Sequence, residues 1–277
     1  MSGEERYIKG YTSTPGGSAA NTVVGLARLG HDVGYIGKLG NDPEGKFLLK
    51  SFKAENVNTT GVITSKKECS GIVIGFVDKT GERTLYVDPG ANDTLCLNGI
   101  NMDYIKETNF LHLTSFVGEK PFKAQKEVLQ SLSDIKISFD PGSLYARKGI
   151  DSLKPILERS FIVLPNEDEL RLLTREGFKD GAKTLINRGA RIVAVKLGER
   201  GCYVTDGKDK FLIEPFKIKV VDTTGAGDAF CAGFLHGLIL EKDLYTCGRI
   251  ANFVASRKIE KIGARNGLPR ISDLLKL

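Results

Sequence analysis

From residue 110 onward, short apolar runs alternate with amphipathic stretches, and this rhythm limits the fold more than any other feature of the chain. Residues 110–113, 135–139, 161–164 and 192–197 read as buried strands. Between them, residues 122–132, 153–158, 168–174 and 181–187 carry helical spacing. Residues 201–205 and 210–213 pair as a hairpin, and two long helices, 225–240 and 244–258, follow. Strands that alternate with helices assemble into a doubly wound, mostly parallel α/β sheet flanked by helices. Ligands in such sheets sit at the carboxyl ends of the strands.

The first hundred residues follow a different pattern. Residues 7–12 read as a short strand, and Pro15-Gly16-Gly17 as a turn. Ser18 suits the cap of a helix over 19–29 that Gly30 ends. Residues 33–37 read as a strand, Gly40, Asp42 and Gly45 punctuate a loop, and 47–55 is helical. Residues 71–78 and 83–87 alternate like strands around Asp78-Lys79-Thr80-Gly81-Glu82, a hairpin signal. The expectation is one domain over 1–277, with a small β lid from about 7–14 and 70–90.

Composition narrows the function classes. With 41% hydrophobic and 27% charged residues, the chain suits one large globular unit. No apolar run is long enough to span a membrane, and no segment reads as a signal peptide. The five cysteines are odd in number and lack a CxxC pair, which fits reduced thiols in the cytoplasm. Three scattered histidines give little support to a zinc site or a Ser-His-Asp triad. The net charge of +6 is spread along the chain without aromatic–basic interleaving, so no nucleic-acid partner is expected. A mildly basic balance does suit phosphate-bearing small molecules.

One stretch carries chemistry. In Val221-Asp222-Thr223-Thr224-Gly225-Ala226-Gly227-Asp228-Ala229-Phe230, three small residues sit where a turn becomes a helix. The first N–H groups of a helix lack internal partners, and the dipole there is positive. Without bulky side chains, those groups can close on a phosphoryl group. Asp228 then stands beside the anion, where a carboxylate serves as a base for an attacking hydroxyl. An ordinary Asp near a helix start explains the same residue, and the stretch alone leaves both readings open.

Two stretches give the chain a family resemblance: Gly16-Gly17-Ser18-Ala19-Ala20-Asn21 with Gly25-Leu26-Ala27-Arg28-Leu29-Gly30, and Asp222 to Phe230. Between them lie Asn166-Glu167-Asp168-Glu169, an N-x-x-E pattern, and Lys196-Leu197-Gly198-Glu199-Arg200-Gly201. Thr80-Gly81-Glu82-Arg83, leading to Gly90-Ala91-Asn92, resembles a lid hairpin. Together these resemble the ribokinase-like (PfkB) sugar and nucleoside kinases over about residues 7–270. The resemblance implies an ATP-dependent transfer of the γ-phosphoryl group to a sugar or nucleoside hydroxyl. It implies Asp228 as catalytic base and Gly225, Ala226 and Gly227 as the anion hole. It places Asn166, Lys196, Gly198 and Asn252 along the nucleotide, and Gly17 and Asn21 on the acceptor. Glu169 organises Mg²⁺ through water, and Asp222 and Thr224 match a monovalent-cation (K⁺) loop found in some members. Asp140-Pro141-Gly142-Ser143 would line the acceptor cleft, and a homodimer through the lid is implied by analogy.

Each assignment has a plainer rival. Gly16-Gly17 can be only a turn, Asn21 a polar helix residue, and 166–169 the acidic first turn of a helix. A strand-end Lys196 commonly snorkels, and His112 on an apolar strand suits the core. The match also departs from the family. No segment ahead of Gly16 reads as the family's opening strand or its Gly-x-x-x-x-Asp turn. Ser18 stands where ribokinase carries Lys, and Ser115 where it carries a sugar-binding Glu, so ribose is not assigned. The departures leave an alternative: a nucleotide-binding pseudokinase or regulatory subunit without an acceptor site. A dinucleotide oxidoreductase ranks below both, because Gly225-Ala226-Gly227 lacks the third Gly and lies far from an opening βαβ unit.

Overall fold

Four parallel strands form the centre of the molecule because their sequences are apolar on both faces, as a sheet covered by helices on each side requires. The computed structural model describes residues 10–77, 83–275 and 277. In chain order the elements are α1 (Ser18–Arg28), β1 (Gly37–Gly40), α2 (Pro43–Ala54), β2 (Val62–Ser65), β3 (Ile72–Val77) and β4 (Arg83–Asp88). Then come α3 (Met102–Lys106), β5 (Phe110–Thr114), α4 (Glu119–Gln130), β6 (Lys136–Asp140), α5 (Gly142–Ala146), α6 (Lys154–Leu157) and β7 (Ser160–Val163). The chain continues through α7 (Glu167–Thr174), α8 (Phe178–Asn187), β8 (Ile192–Lys196), β9 (Cys202–Thr205), β10 (Lys210–Ile213), α9 (Ala226–Ile239), α10 (Leu244–Ile259) and α11 (Ile271–Leu274).

The main sheet has six strands in the order β10-β9-β8-β7-β6-β5. Strands β5 to β8 run parallel, and β9 and β10 are antiparallel additions. Alternation divides the strand residues between two layers. Val163, Val193 and Val195 pack with Phe122, Tyr145 and Leu170 on one face. Ile162, Ala194 and Val204 pack with Phe230, Phe234 and Ala251 on the other.

Helix α9 occupies the centre of the second layer and is buried from Ala229 to Gly237. Small residues let it approach both neighbours closely. A Cβ on Gly25 of α1 would stand 2.6 Å from the Ala232 Cβ, and one on Gly233 would stand 2.8 Å from the Ala251 Cα of α10. The middle of α9 is therefore held close to α1 and α10.

The amino-terminal region differs from the sequence expectation in several places. Ser18 does not cap α1; Gly17 takes the N-cap position at φ 99°, a conformation that favours glycine. The second helix starts at Pro43 rather than 47, because Asp42 accepts the Gly45 N–H at 2.7 Å and Pro suits the first turn. The strand expected over 33–37 is reduced to a bridge between Gly34 and Asn58, and regular pairing begins at β1 against β2. Of the strand expected over 7–12, residues 10–12 are irregular and 7–9 lie outside the described residues. Strands β3 and β4 pair antiparallel, while the turn over 78–82 also lies outside.

Among the described residues, β5 pairs only with β6. Its other edge faces a cavity of about 1890 Å³, with Val33, Gly34 and Tyr35 on one wall and Leu111, His112 and Leu113 on the other. His112 Nδ1 meets Ser138 Oγ at 2.9 Å, and its Nε2 is buried without a partner. The same cavity reaches Gly16, Ser18 and Asn21 at the mouth of the cleft.

The α9–α10 contact gives the first prediction. Gly233→Ala pushes a methyl group against backbone, so it lowers stability by about 1–3 kcal/mol in urea denaturation. An unchanged midpoint would show that the helices can separate without cost.

Candidate active site

The first turn of α9 is shaped for a small charged group. Gly225 holds its N-cap position with φ 76°, and a Cβ there would come within 2.9 Å of the Ala264 carbonyl oxygen. Both constraints select glycine. The Ala226 N–H donates to the Thr223 carbonyl at 3.1 Å, and the Ala229 N–H donates to the Gly225 carbonyl at 2.9 Å. The Ala226 amide is thus engaged within the turn, which leaves the anion-facing part of the tip to its neighbours. Gly227 lies under the Lys196 side chain, whose Nζ would be 3.5 Å from a Cβ at that position.

Asp228 sits half-buried in that turn. Its Oδ1 accepts from Ser18 Oγ at 2.6 Å and its Oδ2 from Asn21 Nδ2 at 2.8 Å. Burial raises its proton affinity, the Ser18 and Asn21 donors oppose that, Asp140 adds to it and Lys196 reduces it; the net shift is upward. A carboxylate above its ordinary range is a better base.

A second line of contacts orients Asn21. Its Oδ1 accepts from Arg265 Nε at 2.8 Å. Guanidinium groups only donate, so the amide oxygen must face Arg265 and the NH₂ must face Asp228. Arg265 is itself buried and also reaches the Gly16 carbonyl at 3.1 Å and Ser51 Oγ at 3.3 Å. Burial brings its pKa down to about 10, which leaves it charged at neutral pH. Nothing in the local sequence marks Arg265, because its contact with Asn21 spans 244 positions.

Lys196 and Asp140 form a buried ion pair at 2.7 Å, with side chains only 12% and 8% exposed. Cys231 Sγ lies 3.3 Å from the same Asp140 oxygen. Burial would lower the Lys196 pKa, but Asp140, Cys231 and Glu169 outweigh it and hold the ammonium firmly protonated. Glu169 is buried and shifted upward, chiefly by desolvation, with Lys196 opposing and Asp140 reinforcing. Asp140 ends β6, Lys196 ends β8, and Glu169 opens α7 just past β7, so the carboxyl ends of three neighbouring strands converge on one point.

The other expected residues divide. Asn166 and Glu169 close a capping box: Asn166 Oδ1 accepts the Glu169 N–H at 2.7 Å, and Glu169 Oε2 accepts the Asn166 N–H at 2.8 Å. Gly198 follows β8 in a left-handed turn at φ 61°. Asn252 stands apart from the carboxylates; its Nδ2 donates to the Ile213 and Glu214 carbonyls at 3.1 and 3.0 Å. Gly17 precedes α1 on the cavity wall. Asp222 Oδ1 accepts from Thr224 N and Oγ1 at 2.9 and 2.6 Å, and its Oδ2 accepts the Gly263 N–H at 2.8 Å.

Among the described residues, no group of three or more His, Cys, Asp or Glu is placed to hold a metal ion. Buried carboxylate oxygens at Asp140 and Glu169 suit a hard divalent cation held largely by water and phosphate. In the Asp222 loop, the Asp222 and Thr223 carbonyls and both Asp222 carboxylate oxygens accept from donors of the chain itself.

The family description "pfkB family carbohydrate kinase" matches residues 2–271. The chain belongs to the PfkB family of carbohydrate kinases. An uncharacterized sugar kinase of Archaeoglobus fulgidus is 45% identical over 253 residues, covering 90% of this chain and all of that one. The crystal structure of a Thermotoga maritima ribokinase superposes with a TM-score of 0.88 at 26% identity, covering 99% and 92% of the two chains. An uncharacterized sugar kinase from Pyrococcus horikoshii, solved in complex with ATP, superposes with a TM-score of 0.85 at 28% identity over 99% and 92%. The ribokinase-like fold is shown by these superpositions. As a PfkB member, the chain is an ATP-dependent sugar kinase.

For this PfkB kinase, the Arg265–Asn21–Asp228 chain of contacts has a direct consequence. Arg265→Met lowers turnover by about 10-fold or more through misorientation of Asn21. In an Asn21→Ala background the same change adds little, because the link is already cut. Additive losses in this double-mutant cycle would mean that Arg265 acts elsewhere.

Proposed function

We propose that the chain moves the γ-phosphoryl group of ATP to a hydroxyl of a small sugar, with Asp228 as the base. The observation that carries this reading is a carboxylate oriented by Ser18 and Asn21, in the same first turn of α9 as Gly225–Gly227. The acceptor hydroxyl enters along Gly17 and Asn21. Its oxygen attacks the γ-phosphorus while its proton passes to Asp228. The bond from the γ-phosphorus to the bridging oxygen breaks, and that electron pair leaves with ADP.

The remaining side chains divide the electrostatic work. Amide groups of the α9 tip receive charge on the migrating group without reorganising, because the helix fixes them. Lys196, held by Asp140 and lying over Gly227, adds a fixed positive charge on the same side. Asn166 and Gly198 lie along the nucleotide, and Asn252 shapes the loop that borders it. Glu169 and Asp140 would hold Mg²⁺ through water, where it would supply charge neutralisation at the phosphate oxygens. No relative favours the pseudokinase reading; those most similar are described as sugar kinases. Unpaired thiols and the absence of a described helix long and apolar enough to cross a membrane support a cytoplasmic location.

The β3–β4 hairpin supports a homodimer. Ile74, Phe76 and Tyr86 share one face and are 50–62% exposed, and Phe76 and Tyr86 meet edge to face at 6.0 Å. An isolated two-stranded sheet is marginal in water, so a second copy seated on this face would stabilise both. Light scattering is expected to report a dimer for the native chain and a monomer for Tyr86→Glu. A native monomer at micromolar concentration would rule the interface out.

The catalytic assignment has its own test. Asp228→Asn is isosteric and keeps ATP binding, but lowers turnover on a responsive sugar by about 10²- to 10⁴-fold. The acid limb of kcat/KM for the native enzyme lies above the ordinary carboxylate range, because activity is lost as pH falls through a raised Asp228 pKa. Near-native turnover in the variant would remove Asp228 from the base role.

A further inference from the structure

Lys258, in the last turn of α10, carries a charge and yet is completely buried. Its Nζ donates to the main-chain carbonyl of Asp222 at 2.7 Å. That places an ammonium on the short segment leading into the α9 tip. The segment is stitched to the chain after α10 by further N–H donors. The Ile259 carbonyl accepts both the Val221 and Asp222 N–H groups, at 2.8 and 3.1 Å. The Ile262 carbonyl accepts from Asn266 Nδ2 at 2.8 Å. The Asp222 carboxylate accepts from Thr224 and Gly263. Burial alone would raise the Asp222 pKa, but these donors and the Lys258 charge hold it down to about 2, so it stays anionic at working pH.

A potassium ion needs several oxygens turned toward one point to replace its hydration shell. Here the Asp222, Thr223, Ile259 and Ile262 carbonyls and the Asp222 carboxylate oxygens accept from donors of the chain itself. An added cation would also lie close to a buried ammonium of the same sign. The position is packed against change as well: a Cβ on Gly267 would come within 2.4 Å of the Lys258 carbonyl oxygen. The end of α10 therefore cannot swing away without moving the chain beneath it.

We propose that the Lys258 ammonium is a built-in monovalent cation, which holds Asp222-Thr223-Thr224 under the phosphoryl-binding tip and makes the enzyme independent of potassium. The proposal rests on the reading of the α9 tip as a phosphoryl cradle. It assigns Lys258 a positioning role, since the ammonium acts through the Asp222 carbonyl and not on substrate.

The test compares KCl, NaCl and choline chloride at matched ionic strength, reading both turnover and melting temperature. The native enzyme is expected to show the same turnover and the same Tm in all three salts. Lys258→Met is expected to lose ~10-fold or more of its turnover in choline chloride, as a displaced tip would. KCl then restores part of both its turnover and its Tm, while Lys258→Arg stays closer to native. A rise in native turnover or Tm specific to potassium overturns the proposal. So does a Lys258→Met enzyme that is fully active in choline chloride, or one that folds but is not rescued by KCl. If Lys258→Met does not fold, the salt comparison on the native chain decides. If the native chain turns over no sugar in any salt, the kinase reading fails, while the Tm comparison still decides the cation question.

Discussion

A carboxylate that acts beside a bound phosphate must be kept close to an anion that repels it, and the rest of the site is arranged around that conflict. On the proposed reading that carboxylate is Asp228, half-buried in the same turn as Gly225–Gly227. Removing one partner from a buried charge network leaves the other uncompensated, at a cost of about 3–5 kcal/mol. Three buried cations hold the surrounding chain without touching Asp228. Arg265 acts through the Asn21 amide, Lys196 lies over Gly227 in its pair with Asp140, and Lys258 grips the Asp222 carbonyl. The carboxylate itself accepts from two neutral donors, Ser18 and Asn21.

Such an arrangement works only if the helix tip does not drift. The close approach of α9 to α1 and α10 supplies that rigidity, through positions where only glycine or alanine fits. Hydrogen bonds of Gly225 and Thr223 then set the first turn relative to the loop beneath it. Burial in the core, tip geometry and site chemistry are consecutive parts of one element. By contrast, the β3–β4 hairpin and the cavity beside β5 are where the described residues leave apolar surface open.

Much of the framework was legible in the chain. Period-two and period-3.6 patterns located β5 to β10 and the two long closing helices, because buried strands and amphipathic helices impose those repeats directly. The small-residue run at Gly225–Gly227 marked the start of α9 for the same local reason. What escaped depended on distance. Ser18 looked like a helix cap, yet its hydroxyl reaches Asp228 across 210 positions. Nothing in the local sequence marks Arg265 or Lys258, and only folding shows that both are buried. Asn166–Glu169 illustrates a different limit: the helix-start reading and the functional one describe the same atoms, since the capping box itself places Glu169 beside Lys196.

Between donor and acceptor, the phosphoryl group is expected to lie at the α9 tip. A crystal structure with Mg²⁺, ADP, aluminium fluoride and a responsive sugar captures that moment most directly. The fluoride plane is predicted to sit about 2.7–3.1 Å from N–H groups of the α9 tip, with the sugar oxygen in line and within hydrogen-bond reach of Asp228. Aluminium fluoride bound away from the tip, or an Asp228 carboxyl turned from the sugar, would contradict it.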